Sequence, residues 1–416
     1  PAWPLSAGVV ASVFSGNWAL LGLPNLDRLL ILLGLATVVL QSRRDPLAPR
    51  FEMSTAHWAL LAASTWVVLS ALWAGTLTDS TSTFAMLDRY GLVPFALFAV
   101  APIAFYKVRQ RMILLAALVA LGGYLGLTAL FEGLGIDALV FPSYIIDPSV
   151  GIHAERARGP FVEASAMGVS LIMCGAAAGV ALALWRDRLL RIAAGAVLAL
   201  CALGVVLTLT RAIWLGAALA VIVTLGVVRE LRRYLIPALA VGVVGVGALL
   251  LAVPGLSGSV EERSADQRPI WDRQNINAAA VEMVRERPLL GFGWGSFPEA
   301  SQEFLRQADD IPLTGIGTQV HNVYLLYLAE LGVIGLGLWL IAAILTVAAA
   351  LYVRGPPEAR AWQIGLIGVT VAWVVAASFA PLAQAFPNAV PFLWAGVVIA
   401  ASGGFDVPWW RRREGR

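Results

Sequence analysis

The chain has 416 residues, of which 59% are hydrophobic and only 13% are charged, and its mean hydropathy is +0.79. This composition excludes an ordinary soluble domain and is typical of an integral membrane protein. The net charge of +3 comes from basic turns between apolar runs, so the sequence indicates no nucleic-acid partner. Cys174 and Cys201 both fall inside apolar runs, which predicts buried free thiols rather than a disulfide framework.

Twelve apolar runs are candidates to cross a hydrocarbon core of roughly 30 Å as helices. The sequence therefore predicts an all-α polytopic membrane protein with about 12 transmembrane helices. The predicted spans are about 4–21, 26–41, 56–75, 84–105, 110–131, 161–185, 189–209, 212–228, 235–253, 321–351, 361–380 and 388–404.

Basic residues fall on alternate connections between these spans. Six clusters hold 18 of the 29 Lys and Arg residues, and short cytoplasmic loops retain positive charge, so one orientation places all six clusters and both termini in the cytoplasm. Residues 405–416 are then a basic cytoplasmic tail. The clusters are Arg43/Arg44/Arg50, Lys107/Arg109/Arg111, Arg186/Arg188/Arg191, Arg229/Arg232/Arg233, Arg354/Arg360 and Arg411/Arg412/Arg413/Arg416.

Two connections on the opposite, periplasmic side are too long to be simple turns. One covers about 132–160, and the other covers 254–320, between spans 1–9 (1–253) and spans 10–12 (321–404). The longer connection has an amphipathic helical pattern that stops at "ERPLLGFGWGSF", where a proline and three glycines force turns. It is predicted to be a folded helical cap. The pattern consists of Ile276, Ala279, Ala280, Met283 and Val284.

All eleven basic residues outside the six clusters are arginines, and six of them lie in the large loop. Arg211 stands in "LTLTRAIWLG", a nearly loopless hairpin at the membrane rim, where a charge without a partner is expensive. It either reaches lipid headgroups, pairs with an acid of the loop, or binds a phosphate, whose oxygens suit its planar fork of donors. Arg268 and Arg158 each have acids nearby in the sequence and alone indicate salt bridges. Converging with Arg211, they would form a diphosphate clamp.

His321 begins the tenth span, in "TQVHNVYLLYLAELGVIG". The positive end of the helix dipole disfavours imidazolium, so the ring is predicted to be neutral and able to accept a proton. The alternative is an interfacial histidine bonded to backbone or headgroup. On a continuous helix Leu328, Gly332 and Gly335 share its face, which predicts a seam where a neighbouring helix packs closely. His57, predicted cytoplasmic, and His153, beside acids, are weaker candidates.

Four motifs in this order resemble the O-antigen ligase and polymerase superfamily. They are "RGPFVEASAMG" (158–168), "TRAIWLG" (210–216), "RPIW…RERPLLGFGWGSF" (268–297), and "HN" followed after nine residues by "GVIG" (321–335). The resemblance implies a multi-pass glycosyltransferase of the bacterial inner membrane with a periplasmic active site. Such an enzyme moves glycan from undecaprenyl diphosphate to a hydroxyl acceptor, with no metal or other cofactor.

The resemblance also assigns residues. Arg211 and Arg268 match the family's essential arginines, and His321 matches its essential histidine. Arg158 is a further diphosphate candidate, although Glu163-Ala164-Ser165 stands where the family often has an Asn-Pro-Asn-like stretch.

The predicted reaction follows from these assignments. The arginines offset charge on the leaving diphosphate, and His321 accepts the acceptor's proton in a single inverting displacement. Asn322, Tyr324 and Trp271 are candidates to orient the sugar or the imidazole.

The preferred acceptor is the lipid A core, as in lipopolysaccharide biosynthesis, with membrane lipids around the enzyme. The alternatives in the superfamily are an O-antigen polymerase and a protein O-oligosaccharyltransferase. Outside it they are a lipid-linked sugar transporter, for which Asp88 and Arg89 are the main intramembrane charges, and a metal-dependent enzyme using Asp309 and Asp310.

Overall fold

The computed structural model describes residues 2–45, 48–152, 154–252, 268–306, 312 and 319–403. These residues form helices and turns, without a β-strand among them. The α-helices are α1 Ala2–Ala11, α2 Leu26–Arg44, α3 Thr55–Ala74, α4 Ser80–Ala85, α5 Leu92–Ala104, α6 Val108–Leu134, α7 Ala164–Leu184, α8 Arg188–Leu207, α9 Arg211–Val227, α10 Leu235–Ala252, α11 Arg268–Glu286, α12 Phe297–Ala300, α13 Val323–Tyr352, α14 Pro357–Phe379 and α15 Ala385–Ser402.

Eight helical segments in the described part are long and apolar enough to cross a membrane. Two shorter apolar helices, Ala2–Phe14 and Arg211–Val227, lie where spans were predicted, as do α2 and α10. The prediction of an all-α polytopic membrane protein is confirmed. The eight segments are Thr55–Ala74, Ser80–Ala104, Val108–Leu134, Ala164–Leu184, Arg188–Leu207, Val323–Tyr352, Pro357–Phe379 and Ala385–Ser402.

Close helix packing in the bundle depends on glycines, as is common between membrane helices. Helices α6, α7 and α8 pack on one another, α9 packs on α14, and α3 packs on α13. A Cβ at Gly122 of α6 would fall 2.9 Å from Cys174 Cβ and 3.2 Å from Cys201 Sγ. Both cysteines are buried and free, so this interface is held by packing without a disulfide.

Successive spans alternate in direction, so their connections gather at two ends of the bundle. One end, the basic face, carries the described parts of the connections 45–54, 105–107, 185–187, 228–234 and 353–356, with five of the six predicted arginine clusters; the sixth, at 411–416, lies outside the described residues. The bidentate pair between Arg111 and Glu358 joins α6 to α14 there, at 2.5 and 2.9 Å. The other end, the loop face, carries the described residues 135–152, 154–163, 208–210, 268–306, 312, 319–322 and 380–384.

The loop face includes helix α11, which lies where the amphipathic pattern predicted a helix. Ile276, Ala279, Ala280 and Met283 of that pattern are buried on one side of it. After α11 the chain turns at Pro288 and continues through a segment with three glycines at positive φ, so the backbone there is too irregular for a helix.

Helix α13 is broken at Gly332, whose φ of 67° and ψ of −175° are far from helical values. The break leaves backbone groups that pair with the preceding segment. Phe292 N–H donates to Ala329 O at 3.0 Å, Gly293 N–H donates to Glu330 O at 2.7 Å, and Val333 N–H donates to Pro288 O at 2.9 Å. The glycine-rich segment 288–294 is thereby bonded into the middle of a candidate span.

This break corrects the prediction of a continuous seam below His321. Gly332 does not face a neighbouring helix, because the backbone of Leu289 occupies its open side. Gly335 does meet a helix, and a Cβ there would fall 2.6 Å from Trp66 Nε1 of α3. A glycine spaced for helix packing can equally mark a left-handed backbone, which periodicity alone does not distinguish.

Candidate active site

Three elements carry charged or titratable side chains at the loop face whose charges influence one another: the start of α9, the first turns of α11, and the segment before α13. Arg211 is the first residue of α9. The turn before it is tight, with Leu209 at a φ of 49°, and Trp214 Nε1 donates to Val205 O at 3.0 Å, tying α9 back to α8. This turn leaves the Arg211 side chain exposed at the end of the bundle.

Arg273 lies in the second turn of α11, and its guanidinium is influenced by the positive charge of Arg211. Its side chain reaches solvent, yet partial burial and then the positive charge of Arg211 lower the pKa of Arg273. No residue that the structure describes forms an ion pair with either arginine. Two guanidinium groups therefore act on one space, an arrangement that favours an anionic ligand.

His321 belongs to the same electrostatic neighbourhood. Desolvation is the largest cause that lowers the pKa of His321, and the charge of Arg273 lowers it further. Asp272 and a hydrogen bond with the backbone of Gln319 act in the opposite direction, but the net shift is downward from 6.5. The imidazole is therefore neutral near pH 7 and can accept a proton. Its Nδ1 is buried and has no hydrogen-bond partner among the described residues.

The helix that follows His321 is started by Asn322. The Asn322 side chain accepts a hydrogen bond from Leu325 N–H at 3.0 Å, as a polar residue at the N-cap does. Its amide oxygen is thus occupied by the helix, and its role here is to fix the direction of α13 directly after the imidazole.

The segment before His321 is tied to the bundle through Arg89. Arg89 Nη2 donates to Gln319 Oε1 at 3.0 Å, and Tyr327 OH donates to the carbonyl of Arg89 at 3.0 Å. Arg89 is 8% exposed and lies in a π-turn, Met86–Tyr90, between α4 and α5. Asp88 beside it pairs with Arg28 at 2.7 Å. The two intramembrane charges thus have protein partners.

Arg158 occupies a different environment from Arg211 and Arg273. Its side chain is fully buried, and its guanidinium donates to Ile145 O at 2.9 Å and to Val150 O and Asp147 O at 2.6 Å each. Those donors are occupied by the backbone of the connection 135–163. We therefore leave Arg158 out of the anion site, because a clamp needs donors that a ligand can reach.

Other predicted site residues are placed with less detail. Arg268 begins α11, but its side chain lies outside what the structure describes. Trp271 is half-buried in the same turn. Tyr324 OH donates to Val374 O at 3.4 Å, and its ring packs near Trp339.

The remaining candidates are two histidines and an acidic pair. His57 is buried on the basic face, where Ser54 and His57 form a capping box. His153, Asp309 and Asp310 lie outside the described residues. In the described part, no three His, Cys, Asp or Glu side chains form a cluster suited to a metal ion.

Arg273 is the residue that sequence reasoning did not single out. Beside Asp272 it resembles half of a local salt bridge. It also stands three residues before Ile276 and seven before Ala280, in line with the face that is buried further along α11, although its own side chain is exposed. The available signal for Arg273 as a site residue was its position in line with the apolar face of an amphipathic helix.

Residues 196–340 match the family described as "O-Antigen ligase". The matched range contains Arg211, Arg273, His321 and the helix break at Gly332. Among the curated proteins, none matches the chain.

Proposed function

We propose, on the premise that this chain belongs to the O-antigen ligase superfamily by its residues 196–340, that it transfers a lipid-linked glycan to a hydroxyl acceptor. The donor in this proposal is a glycan on undecaprenyl diphosphate. The preferred acceptor is a hydroxyl of the lipid A core oligosaccharide. The reaction takes place on the loop face, which we assign to the periplasm because the arginine clusters lie on the opposite face.

The observation that supports this proposal is the convergence of Arg211, Arg273 and His321. These residues come from three separate elements, yet Arg211 acts on Arg273 and Arg273 acts on His321. Two exposed guanidinium groups beside a neutral imidazole suit a reaction in which an anion leaves while a hydroxyl loses its proton.

The arginines act on the donor. Arg211 and Arg273, joined by Arg268 in our proposal, hold the two phosphates through charge-assisted hydrogen bonds. When the bond between the anomeric carbon and the diphosphate oxygen breaks, its electron pair stays on that oxygen. Fixed positive charges stabilise this developing charge without reorganisation, which lowers the barrier.

His321 acts on the acceptor. As the acceptor oxygen attacks the anomeric carbon from the side opposite the diphosphate, its proton moves to the neutral imidazole. A glycosidic bond forms, the diphosphate leaves, and the anomeric configuration inverts. The proton on His321 then returns to solvent or to the released diphosphate. General-base assistance of this kind typically contributes about 10²–10⁴-fold.

The test is a transfer assay with the purified full chain in lipid nanodiscs and an undecaprenyl-diphosphate-linked glycan. Lipid A core, a second lipid-linked unit and a pilin-like protein are offered as separate acceptors, each with and without EDTA. We expect transfer to lipid A core that resists EDTA. Transfer to the second lipid unit or to the protein would favour the polymerase or the protein O-oligosaccharyltransferase. In a parallel measurement with the chain in closed vesicles, donor movement across the bilayer without any transfer would favour a transporter.

Variants separate the two halves of the mechanism. We expect His321→Ala to abolish transfer while donor binding persists, and Arg211→Ala to weaken donor binding. Arg285→Ala is the matched control, because Arg285 also lies on α11 but is exposed and paired with Glu282 at 2.5 Å. Full activity in His321→Ala would contradict the role of His321 as the base. Unchanged donor affinity in Arg211→Ala would contradict the role of Arg211 in binding the diphosphate.

A further inference from the structure

The connection between α6 and α7 exposes an unusual amount of apolar surface for a loop. Five large apolar side chains between residues 134 and 146 are more than a third exposed, and Phe141 is 70% exposed. Single exposed apolar residues are ordinary, but a contiguous set in water is costly and marks a binding surface. The five are Leu134, Ile136, Leu139, Phe141 and Ile146.

The chain reverses direction at the end of α6. Gly135 has a φ of 66°, and Ile136 N–H donates to Phe131 O at 2.9 Å, which closes the helix and turns the backbone. Further on, Tyr124 OH donates to Phe141 O at 2.8 Å. Tyr124 stands ten residues before Leu134, so the segment runs back alongside α6.

This contact sets the depth of the segment. Ten residues of α-helix span about 15 Å, and helical side chains lean toward the N-terminus, so Tyr124 does not reach up toward the loop face. A hydrocarbon core of roughly 30 Å takes about 20 residues. If the core begins at Arg111, on the basic face, it ends near residue 131 of α6. Phe141 O is bonded to Tyr124, about seven helical residues below that end, and so lies roughly 10 Å inside the core.

The inner side of the segment is packed against the protein. Val140, Tyr144 and Ile145 are buried in a small cluster whose neighbours include Phe131 of α6 and Phe14. The segment therefore has one side on the bundle, and the side that the protein leaves uncovered carries the five exposed apolar residues together with the exposed Asp137 and Asp147 near its two ends.

Several backbone carbonyls of the segment accept hydrogen bonds from protein groups, as non-helical backbone inside a membrane requires. Without water, each free carbonyl would be costly, so irregular backbone at this depth needs internal partners. The buried Arg158 guanidinium supplies donors to Ile145, Asp147 and Val150, and Tyr144 OH donates to Pro160 O at 2.9 Å.

We propose that residues 135–147 form a re-entrant segment whose outer side contacts the acyl chains of the membrane leaflet at the loop face. The surface is continuous with the lipid-facing side of α6, where Leu127 is 42% exposed. On this proposal the first half of the predicted periplasmic segment 132–160 lies in the membrane. Arg158 serves the segment by bonding its carbonyls.

The chain provides its own references for a depth measurement. Cys174 and Cys201 are buried, at 0% and 2% exposure, so a spin label attaches only to an introduced cysteine. Phe141→Cys tests the segment, Leu127→Cys gives the value for a lipid-facing site within α6, and Ala154→Cys gives the value for an exposed site later in the connection. All three are made in the full chain and placed in donor-free nanodiscs.

The readout is the accessibility of each label to oxygen, which concentrates in lipid, relative to a water-soluble nickel complex. We expect the ratio at residue 141 to match that at 127 and to exceed that at 154 severalfold. Leu139→Cys repeats the test if Phe141→Cys does not fold. A ratio at 141 and 139 equal to that at 154 would place the segment in water and overturn the proposal. Protection from both reagents at 141 and 139 would also overturn it, by indicating a covering protein. The experiment contains no donor or acceptor, so its outcome is independent of the proposed transfer.

Discussion

Gly332→Ala is expected to unfold the junction between α11 and α13. Gly332 combines a φ of 67° with a ψ of −175°, a region that essentially only glycine adopts. A Cβ at this position would lie 2.1 Å from Leu289 O and 2.6 Å from Leu290 N. Both are backbone atoms, so the neighbouring chain can yield only by moving away from the break.

The magnitude follows from two penalties. Backbone strain of this kind costs about 1–3 kcal/mol, and overpacking at a closed site typically costs about 1–3 kcal/mol. Together they predict a loss of roughly 2–6 kcal/mol, against a typical total stability of about 5–15 kcal/mol. The loss falls on the hydrogen bonds that join the segment after Arg273 to the helix after His321, so transfer activity is expected to fall as well.

Gly337→Ala is the control, because it lies in the same helix and has no atom within 4 Å of the added Cβ. Thermal unfolding of the full chain in detergent is followed by circular dichroism, with the transfer rate measured in parallel. Gly337→Ala should be neutral or stabilise by up to about 1 kcal/mol. Equal unfolding temperatures for the two variants would refute the reasoning from the break.

Further predictions concern the site and its support. On the proposal that His321 is the general base, burial and the charge of Arg273 hold its pKa below its usual value, so kcat/KM should fall as pH drops through that pKa and stay level above it. Arg273→Gln removes a charge that lowers the pKa of His321, so the fall of kcat/KM on the acid side should move to higher pH. Arg285→Gln, the control, should leave the pH profile in place. An unchanged profile in Arg273→Gln would contradict the inference that Arg273 acts on His321. His321→Gln should reduce kcat by about 10²–10⁴-fold with donor Kd retained, and an unchanged kcat would exclude the base. Arg158→Lys should lower stability by about 1–3 kcal/mol for each carbonyl left unbonded, with donor Kd unchanged; a weakened Kd at full stability would return Arg158 to the anion site.

The positions of the membrane helices could be predicted from the sequence, because each one coincides with a run of high hydropathy. Spans such as 161–185 and 189–209 coincide closely with α7 and α8, since a membrane helix must be apolar over its whole length. The resemblance to the O-antigen ligase superfamily is also confirmed over residues 196–340. The roles assigned to His321 and Arg211 stay predictions, although the structure brings both into one electrostatic neighbourhood through Arg273.

The irregular parts of the backbone were harder to predict from the sequence. The spacing of Gly332 and Gly335 is the same whether they line a helix seam or mark a break, and only tertiary contact with Leu289 distinguishes the two. Arg158 illustrates a related difficulty. An arginine that binds carbonyl oxygens and one that binds phosphate have the same side chain, and the choice depends on which oxygens the fold places nearby.

The break in α13 also constrains biosynthesis. Residues 288–294 leave the ribosome before α13 does, and their hydrogen-bond partners at Ala329 and Glu330 exist only once that helix has been made and inserted. The junction between these segments therefore forms late in synthesis, and the start of α13 is fixed only after α9, which begins at Arg211, has been made.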